Sequence, residues 1–160
     1  MKKNFINLAM VAMVAVGTVA YTGCGKKGCT TEADDSYDSA ATEADPEACD
    51  EAATVAKFEG NWTGQPGSYP FTVTQTGEPD YQINISTNFG LENDLGVQHS
   101  PTNIKATVSQ NEATIDATTI YDGSVQGTVT YNSGSSMTVN YTLSGFDASV
   151  NGTYTETVSK

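Results

Sequence analysis

From Phe58 onward, apolar and polar residues alternate with a period of two. In residues 81–85, Tyr and Ile alternate with Gln and Asn, and the pattern recurs in 103–109, 124–131 and 136–143. Successive side chains of a β-strand point to opposite faces, so this pattern predicts strands with one apolar face and one polar face. Strands buried on one face only are typical of antiparallel sheets. The alternation therefore predicts an all-β domain.

The alternating runs are short and follow one another closely. They lie at 58–64, 69–76, 80–87, 103–109, 113–121, 124–131, 136–143 and 150–158. Asp122-Gly123 between two runs predicts a two-residue hairpin, and a break in parity near 117–121 predicts a bulge. A meander of this kind can close into a barrel, in which the first and last strands pair and no edge strand is left exposed. We therefore predict a small antiparallel eight-stranded barrel over 57–160, with a two-sheet sandwich as the alternative.

The first residues have the pattern of a bacterial export signal. Lys2 and Lys3 precede an apolar stretch over 8–20, which is too short to span a bilayer as a stable helix. Tyr21-Thr22-Gly23-Cys24 resembles the lipobox of bacterial lipoproteins, although Leu or Val is usual where Tyr21 stands.

This resemblance implies a signal peptide over 1–23 and a lipid on Cys24, whose acyl chains would anchor the protein to a membrane. Gly25 follows the cysteine where an Asp would signal retention in the inner membrane, so the resemblance favours the outer membrane. The alternative is a secreted or periplasmic protein that is cleaved elsewhere.

The segment that follows the lipobox is strongly acidic. Residues 32–51 carry nine Asp and Glu residues and almost no large apolar side chain. Such a composition buries too little surface to offset the entropy of ordering. We therefore predict a disordered acidic tether over 24–56. The spacing of the acids does not match a calcium-binding loop of the EF-hand type.

The chain contains three cysteines. With Cys24 lipidated, Cys29 and Cys49 remain, and in an oxidising compartment they form either a disulfide or two free thiols. No His lies near them and their spacing fits no zinc pattern, so we predict no metal site.

Gly60-Asn61-Trp62 opens the first run, and Trp62 is the only tryptophan. A Gly-x-Trp at this position resembles the lipocalins and the wider calycin group, which implies an up-and-down barrel for a small apolar ligand. The folded region is also similar to small bacterial envelope proteins described as lipocalin-like, without assigned function. The resemblance gives Gly60 and Trp62 structural roles. In lipocalins an Arg from late in the barrel covers this Trp; here Arg is absent from the sequence, and Lys160 is the only late basic residue.

Four tyrosines share the parity of the predicted interior: Tyr81, Tyr131, Tyr141 and Tyr154. Tyrosine combines an apolar ring with one hydroxyl, so these residues are candidate ligand contacts inside the barrel. The alternative is that they close the barrel ends with their hydroxyls in water. The longest connection, 88–102, contains the only histidine, His99, and is either a lid over the barrel or a surface excursion.

Composition also limits the function classes. One histidine and scattered carboxylates provide no catalytic constellation, so we predict no enzymatic activity and no cofactor. The formal net charge is −12, which opposes binding to nucleic acid. The leading hypothesis is an envelope-anchored, non-catalytic barrel that binds a small apolar or amphipathic molecule. The alternative is a filled barrel that contacts an envelope protein or a glycan through its outer face.

Overall fold

The computed structural model describes residues 25–77, 81–92 and 95–160. The predicted signal peptide over 1–23 and the predicted lipidation site at Cys24 lie outside these residues. Within the described ranges, none of the helices has the length and apolar character needed to cross a membrane.

Short elements precede a set of longer strands. In chain order the elements are β1 (Lys27–Gly28), β2 (Glu43–Ala44), a 3-10 helix (Pro46–Ala48), α1 (Glu51–Ala56), β3 (Gly60–Gln65), β4 (Tyr69–Gln75), β5 (Gln82–Thr87), β6 (Thr102–Ser109), β7 (Glu112–Ile120), β8 (Gly123–Ser133), β9 (Ser136–Ser144) and β10 (Gly152–Ser159). β1 and β2 form a separate parallel pair.

Strands β3 to β10 form a closed antiparallel barrel. Each strand pairs with the next along the chain, and β10 pairs with β3 to complete the circle. This confirms the eight-stranded meander barrel, and the two-sheet alternative is not formed. The predicted bulge is present as a register shift between Ile115 and Thr118. The hairpin at the next turn also forms, although its pairing of Ile120 with Gly123 places the turn at 121–122, one residue earlier than predicted.

The barrel interior is occupied by side chains. The alternating inward positions are buried along most of β3 to β7 and β9, as the sequence pattern predicts. In β8 the inward positions are buried in part, and in β10 only Val158 is buried. The largest of these side chains include Phe71, Ile83, Ile85, Ile104, Ile115 and Met137. Their burial is the main stabilising contribution to the fold.

The two ends of the barrel differ. The base is the end where β3 begins and β10 ends, and Phe58 packs there against Tyr131 with ring centroids 5.8 Å apart. The buried Trp62 donates its indole N–H to the Phe58 carbonyl at 2.9 Å. The Lys160 ammonium lies 4.2 Å from the Trp62 ring centroid. A lysine thus covers the tryptophan in this chain, where the lipocalin resemblance implies an arginine.

The prediction of a disordered tether is wrong for residues 25–56. Those residues form a compact N-terminal unit that is closed by a disulfide between Cys29 and Cys49. Asp45 caps the 3-10 helix and Asp50 caps α1, through side chains that accept backbone N–H groups. A covalent cross-link and local capping replace the large apolar core that the composition lacks.

The N-terminal unit docks on the base through acidic residues. Asp34 is fully buried and accepts a hydrogen bond from the Tyr81 hydroxyl at 2.8 Å. Lys57 connects the two parts by binding Asp35 at 2.6 Å and Asn111 at 2.8 Å. These acids are structural contacts rather than a solvated spacer.

Hydrogen bonds set the charge state of this contact. Burial by itself would raise the pKa of Asp34, but hydrogen bonds from Ser36, Tyr81 and Asp50 hold that pKa below its ordinary value of 3.8. Burial and the Asp34 carboxylate raise the pKa of Tyr81 to about 12. The ionised acid and the neutral phenol therefore form a matched pair at neutral pH.

The docked unit is expected to loosen in alkali. The pKa of Tyr81 is higher in the folded protein than the unfolded value of about 10, so its contribution is complete below about pH 10 and is lost as the pH rises towards about 12. Urea unfolding at a series of pH values should show the advantage of wild type over Tyr81→Phe shrinking over that window. A constant difference between the two proteins would contradict this coupling.

Candidate functional site

The opposite end of the barrel, the mouth, carries the largest loops and an open pocket. The segments 66–68, 88–101, 121–122 and 145–151 connect the strands there. Among them lies a pocket of about 340 Å³, hereafter the mouth pocket. Its lining combines apolar and polar surface and includes Phe89, Leu91, Tyr141, Leu143, Val150, Tyr154 and Glu156.

Glu156 is one of two carboxylates in this lining, and Glu92 is the other. Glu156 lies between Tyr154 and Val158 on β10, and the alternation of that strand directs all three side chains to the barrel interior. Both carboxylate oxygens accept hydrogen bonds. The Tyr141 hydroxyl donates to Oε1 at 2.8 Å, and the Tyr69 hydroxyl donates to Oε2.

The two phenols are held in the neutral, donating state. Burial and then the Glu156 carboxylate raise the pKa of Tyr69 and of Tyr141 well above the ordinary tyrosine value. Neutral phenols that donate to both oxygens match an ionised carboxylate, which accepts but does not donate.

Gly64 makes this arrangement possible. Tyr69 begins β4, and its ring crosses the inner side of β3 at Gly64 to reach Glu156 on β10. A Cβ atom at Gly64 would overlap the ring. The glycine is therefore required by the close approach of an aromatic ring to the strand.

Replacing Gly64 with alanine is expected to lower the free energy of unfolding by about 2 kcal/mol, since overpacking typically costs about 1–3 kcal/mol. The ring of Tyr69 must move, and its hydrogen bond to Glu156 breaks. Gly152→Ala is the matched control, because its Cβ would meet Tyr154 at an ordinary 3.6 Å. Urea unfolding measures both changes, and equal losses in the two variants would contradict the role of Gly64.

An aromatic wall completes the pocket. Tyr141 stands between Phe89 and Tyr154, with ring centroids 4.6 Å and 5.2 Å away. The Tyr154 hydroxyl donates to the Val150 carbonyl and fixes the 145–151 loop against the wall. The wall gives the mouth pocket an apolar side next to the Glu156 carboxylate.

The long 88–101 connection contributes to the mouth as well as to the surface. The buried Asn88 bridges the connection by donating to the His99 carbonyl at 2.8 Å and accepting from Gly90 N–H at 3.0 Å. Phe89 is thereby placed in the pocket with a positive φ of 51°. His99 stacks on Tyr121 with centroids 4.1 Å apart, while Leu95 is exposed. The start of the connection lines the pocket, while Leu95 lies on the surface.

The four predicted ligand tyrosines do not converge on one site. Tyr141 and Tyr154 meet at the mouth pocket, whereas Tyr81 and Tyr131 lie at the base against the N-terminal unit and Phe58. Gly60 and Trp62 also lie near the base. Glu156 was not among the predicted site residues, although its place on the inward parity of 152–158 is visible in the alternation.

Cys29, Asp34 and Cys49 are close enough together to hold a metal ion. The two sulfur atoms are joined in the disulfide, however, and a disulfide does not supply thiolate ligands. The chain matches no protein-family model, no curated protein and no solved structure.

Proposed function

We propose that this protein is exported, is anchored to the cell envelope, and binds a small apolar or amphipathic molecule at the barrel mouth without catalysing a reaction. The observation that carries the proposal is the mouth pocket. Its volume of about 340 Å³ lies within the range of about 300–1,000 Å³ that is typical of small-molecule sites.

The lining supports the same conclusion. Aromatic and aliphatic side chains line the pocket together with the carboxylates of Glu92 and Glu156, and a mixed lining of this kind suits an amphipathic molecule. The barrel below the pocket is occupied by Phe71, Ile83 and their neighbours. The bound molecule would therefore lie at the mouth and not inside the barrel, where the sequence pattern predicted it.

The position of the predicted anchor is compatible with this function. Gly25, which follows the predicted lipidation site Cys24, already belongs to the N-terminal unit that docks on the base. A lipid on Cys24 would attach at the end of the barrel opposite the mouth pocket. The pocket would remain open to molecules arriving from the aqueous side.

A second candidate function uses the outer face. A shallow groove of about 450 Å³ crosses β7 to β10. Its outward side chains include Thr114, Asp116, Gln126, Thr128, Asn140 and Thr142. Hydroxyl and amide groups of this kind can hydrogen-bond to a glycan or to the backbone of an envelope protein.

Titration with the neutral fluorophore N-phenyl-1-naphthylamine tests the leading proposal. We expect saturable fluorescence enhancement with the full chain. Ser149→Trp, which fills the pocket edge, should abolish it. Thr157→Trp places the same ring on the exposed outer side of β10 and should leave it unchanged. An absence of binding, or equal behaviour of the two variants, would overturn the proposal and favour the outer groove.

A further inference from the structure

The Glu156 carboxylate lacks a cationic partner within the described residues. The ion pairs there are Lys26–Asp38 and Lys57–Asp35, which involve the N-terminal unit and the base. Glu92, the other charged side chain in the mouth pocket lining, is also acidic. The pocket therefore presents negative charge without neutralisation by the part of the protein that the structure describes.

The hydrogen bonding of Glu156 is also incomplete. An ionised carboxylate offers about four acceptor positions, and Tyr69 and Tyr141 occupy one on each oxygen. The side chain is half-buried and faces the pocket. A carboxylate in partly apolar surroundings is most stable when a cation and additional donors complete its coordination.

We infer that the mouth pocket selects a cationic amphiphile, in which a protonated amine binds Glu156 and an apolar body packs on the aromatic wall. This inference rests on the proposed function and names the chemical class of its ligand. The ammonium group supplies the missing positive charge and up to three donors. The apolar body displaces water from Leu91, Leu143 and Val150.

Two further features favour a cation. The lining contains Phe89, Tyr141 and Tyr154, and aromatic faces attract ammonium groups. The net charge of −12 also raises the local concentration of cations and lowers that of anions around the protein. A fatty acid with the same chain length as the amine would be repelled, because its carboxylate would face that of Glu156.

Three probes with one apolar body separate charge from hydrophobicity: n-octylamine, 1-octanol and octanoate. Each is titrated into the full chain carrying N-phenyl-1-naphthylamine, and displacement of the fluorophore is measured. We expect octylamine to bind at least about tenfold more tightly than octanol, a ratio equal to about 1.4 kcal/mol, and octanoate to bind most weakly.

Glu156→Gln retains the shape of the side chain and should erase the preference for octylamine. Glu92→Gln removes a carboxylate from the exposed edge of the same pocket. This variant should retain most of the preference for octylamine. If Glu156→Gln fails to fold, the comparison of the three probes on the wild-type chain still tests the amine preference, because octylamine, octanol and octanoate differ only in the charge and chemistry of the head group.

The outcomes distinguish the two proposals. Fluorophore binding with equal displacement by all three probes would overturn the amine preference and leave the proposed function standing. A preference that survives in Glu156→Gln would overturn the role of that carboxylate. Failure of the wild-type chain to bind the fluorophore or any probe would overturn the proposed function together with this inference.

Discussion

Trp62→Ala is expected to lower the free energy of unfolding by about 4 kcal/mol, since truncation of a buried Phe or Trp typically costs about 3–5 kcal/mol. The indole is almost fully buried and donates to the Phe58 carbonyl. Truncation opens a cavity at the base, leaves that carbonyl without its indole donor and removes the surface that Lys160 covers. A domain with a total stability of about 5–15 kcal/mol would lose a large fraction of it.

Two variants separate the components of this effect. Trp62→Phe keeps most of the apolar volume and loses the hydrogen bond, so its loss should be clearly smaller than that of Trp62→Ala. Phe146→Ala removes a half-buried ring at the mouth and serves as the control for aromatic truncation. Urea unfolding, followed by circular dichroism, gives all three values. A Trp62→Ala loss no greater than that of Phe146→Ala would refute the structural role of the tryptophan.

The second large effect concerns the disulfide. In the chain-entropy model, a cross-link that closes a loop of this size contributes about 3 kcal/mol, and Cys29 and Cys49 are 20 residues apart. The Cys29→Ser/Cys49→Ser double variant should therefore destabilise the N-terminal unit by about 3 kcal/mol. The barrel, which has its own core, should remain folded.

Hydrogen exchange with mass spectrometry resolves the two regions. In the double variant, residues 25–56 should lose protection while the strands of the barrel retain it. Chemical reduction of the wild-type protein is an independent route to the same state and should give the same pattern. Unchanged protection over 25–56 would show that docking alone holds the unit. Loss of protection throughout the barrel would show that the two parts unfold together.

The barrel was predictable because its signal is repeated along the chain. Each strand places apolar residues at every second position, so eight weak signals support one another, and short connections leave a meander as the simplest topology. The parity break near Ile120 even indicated the bulge. Local pattern is sufficient when burial follows the pleat of the strand.

The mouth pocket was not predictable in the same way, because it depends on contacts between distant residues. Tyr69 and Glu156 are 87 positions apart, and only the closure of β10 on β3 brings them together. The inward parity of Glu156 could have drawn attention to it as an acid at an apolar position. The space that Gly64 leaves for Tyr69 has no sequence signal beyond a glycine in a strand.

The N-terminal unit was mispredicted for a different reason. Composition measures how much apolar surface a segment can bury, and by that measure residues 24–56 are disordered. It does not count a cross-link, helix caps or carboxylates that fit partners on another part of the protein. Asp34 contributes through its hydrogen bond with Tyr81, and Tyr81 lies 47 residues away.

The folded N-terminal unit also determines how much space the protein can explore from an anchor. If residues 24–56 were a flexible chain, their root-mean-square end-to-end distance would be about 30 Å. The barrel could then move over a wide volume above the bilayer. With the unit folded and docked, a lipid on Cys24 would keep the barrel close to the lipid headgroups and restrict its orientation. The protein would then encounter only molecules within a thin layer next to the membrane. The rate of ligand binding would depend on how fast the ligand diffuses into that layer.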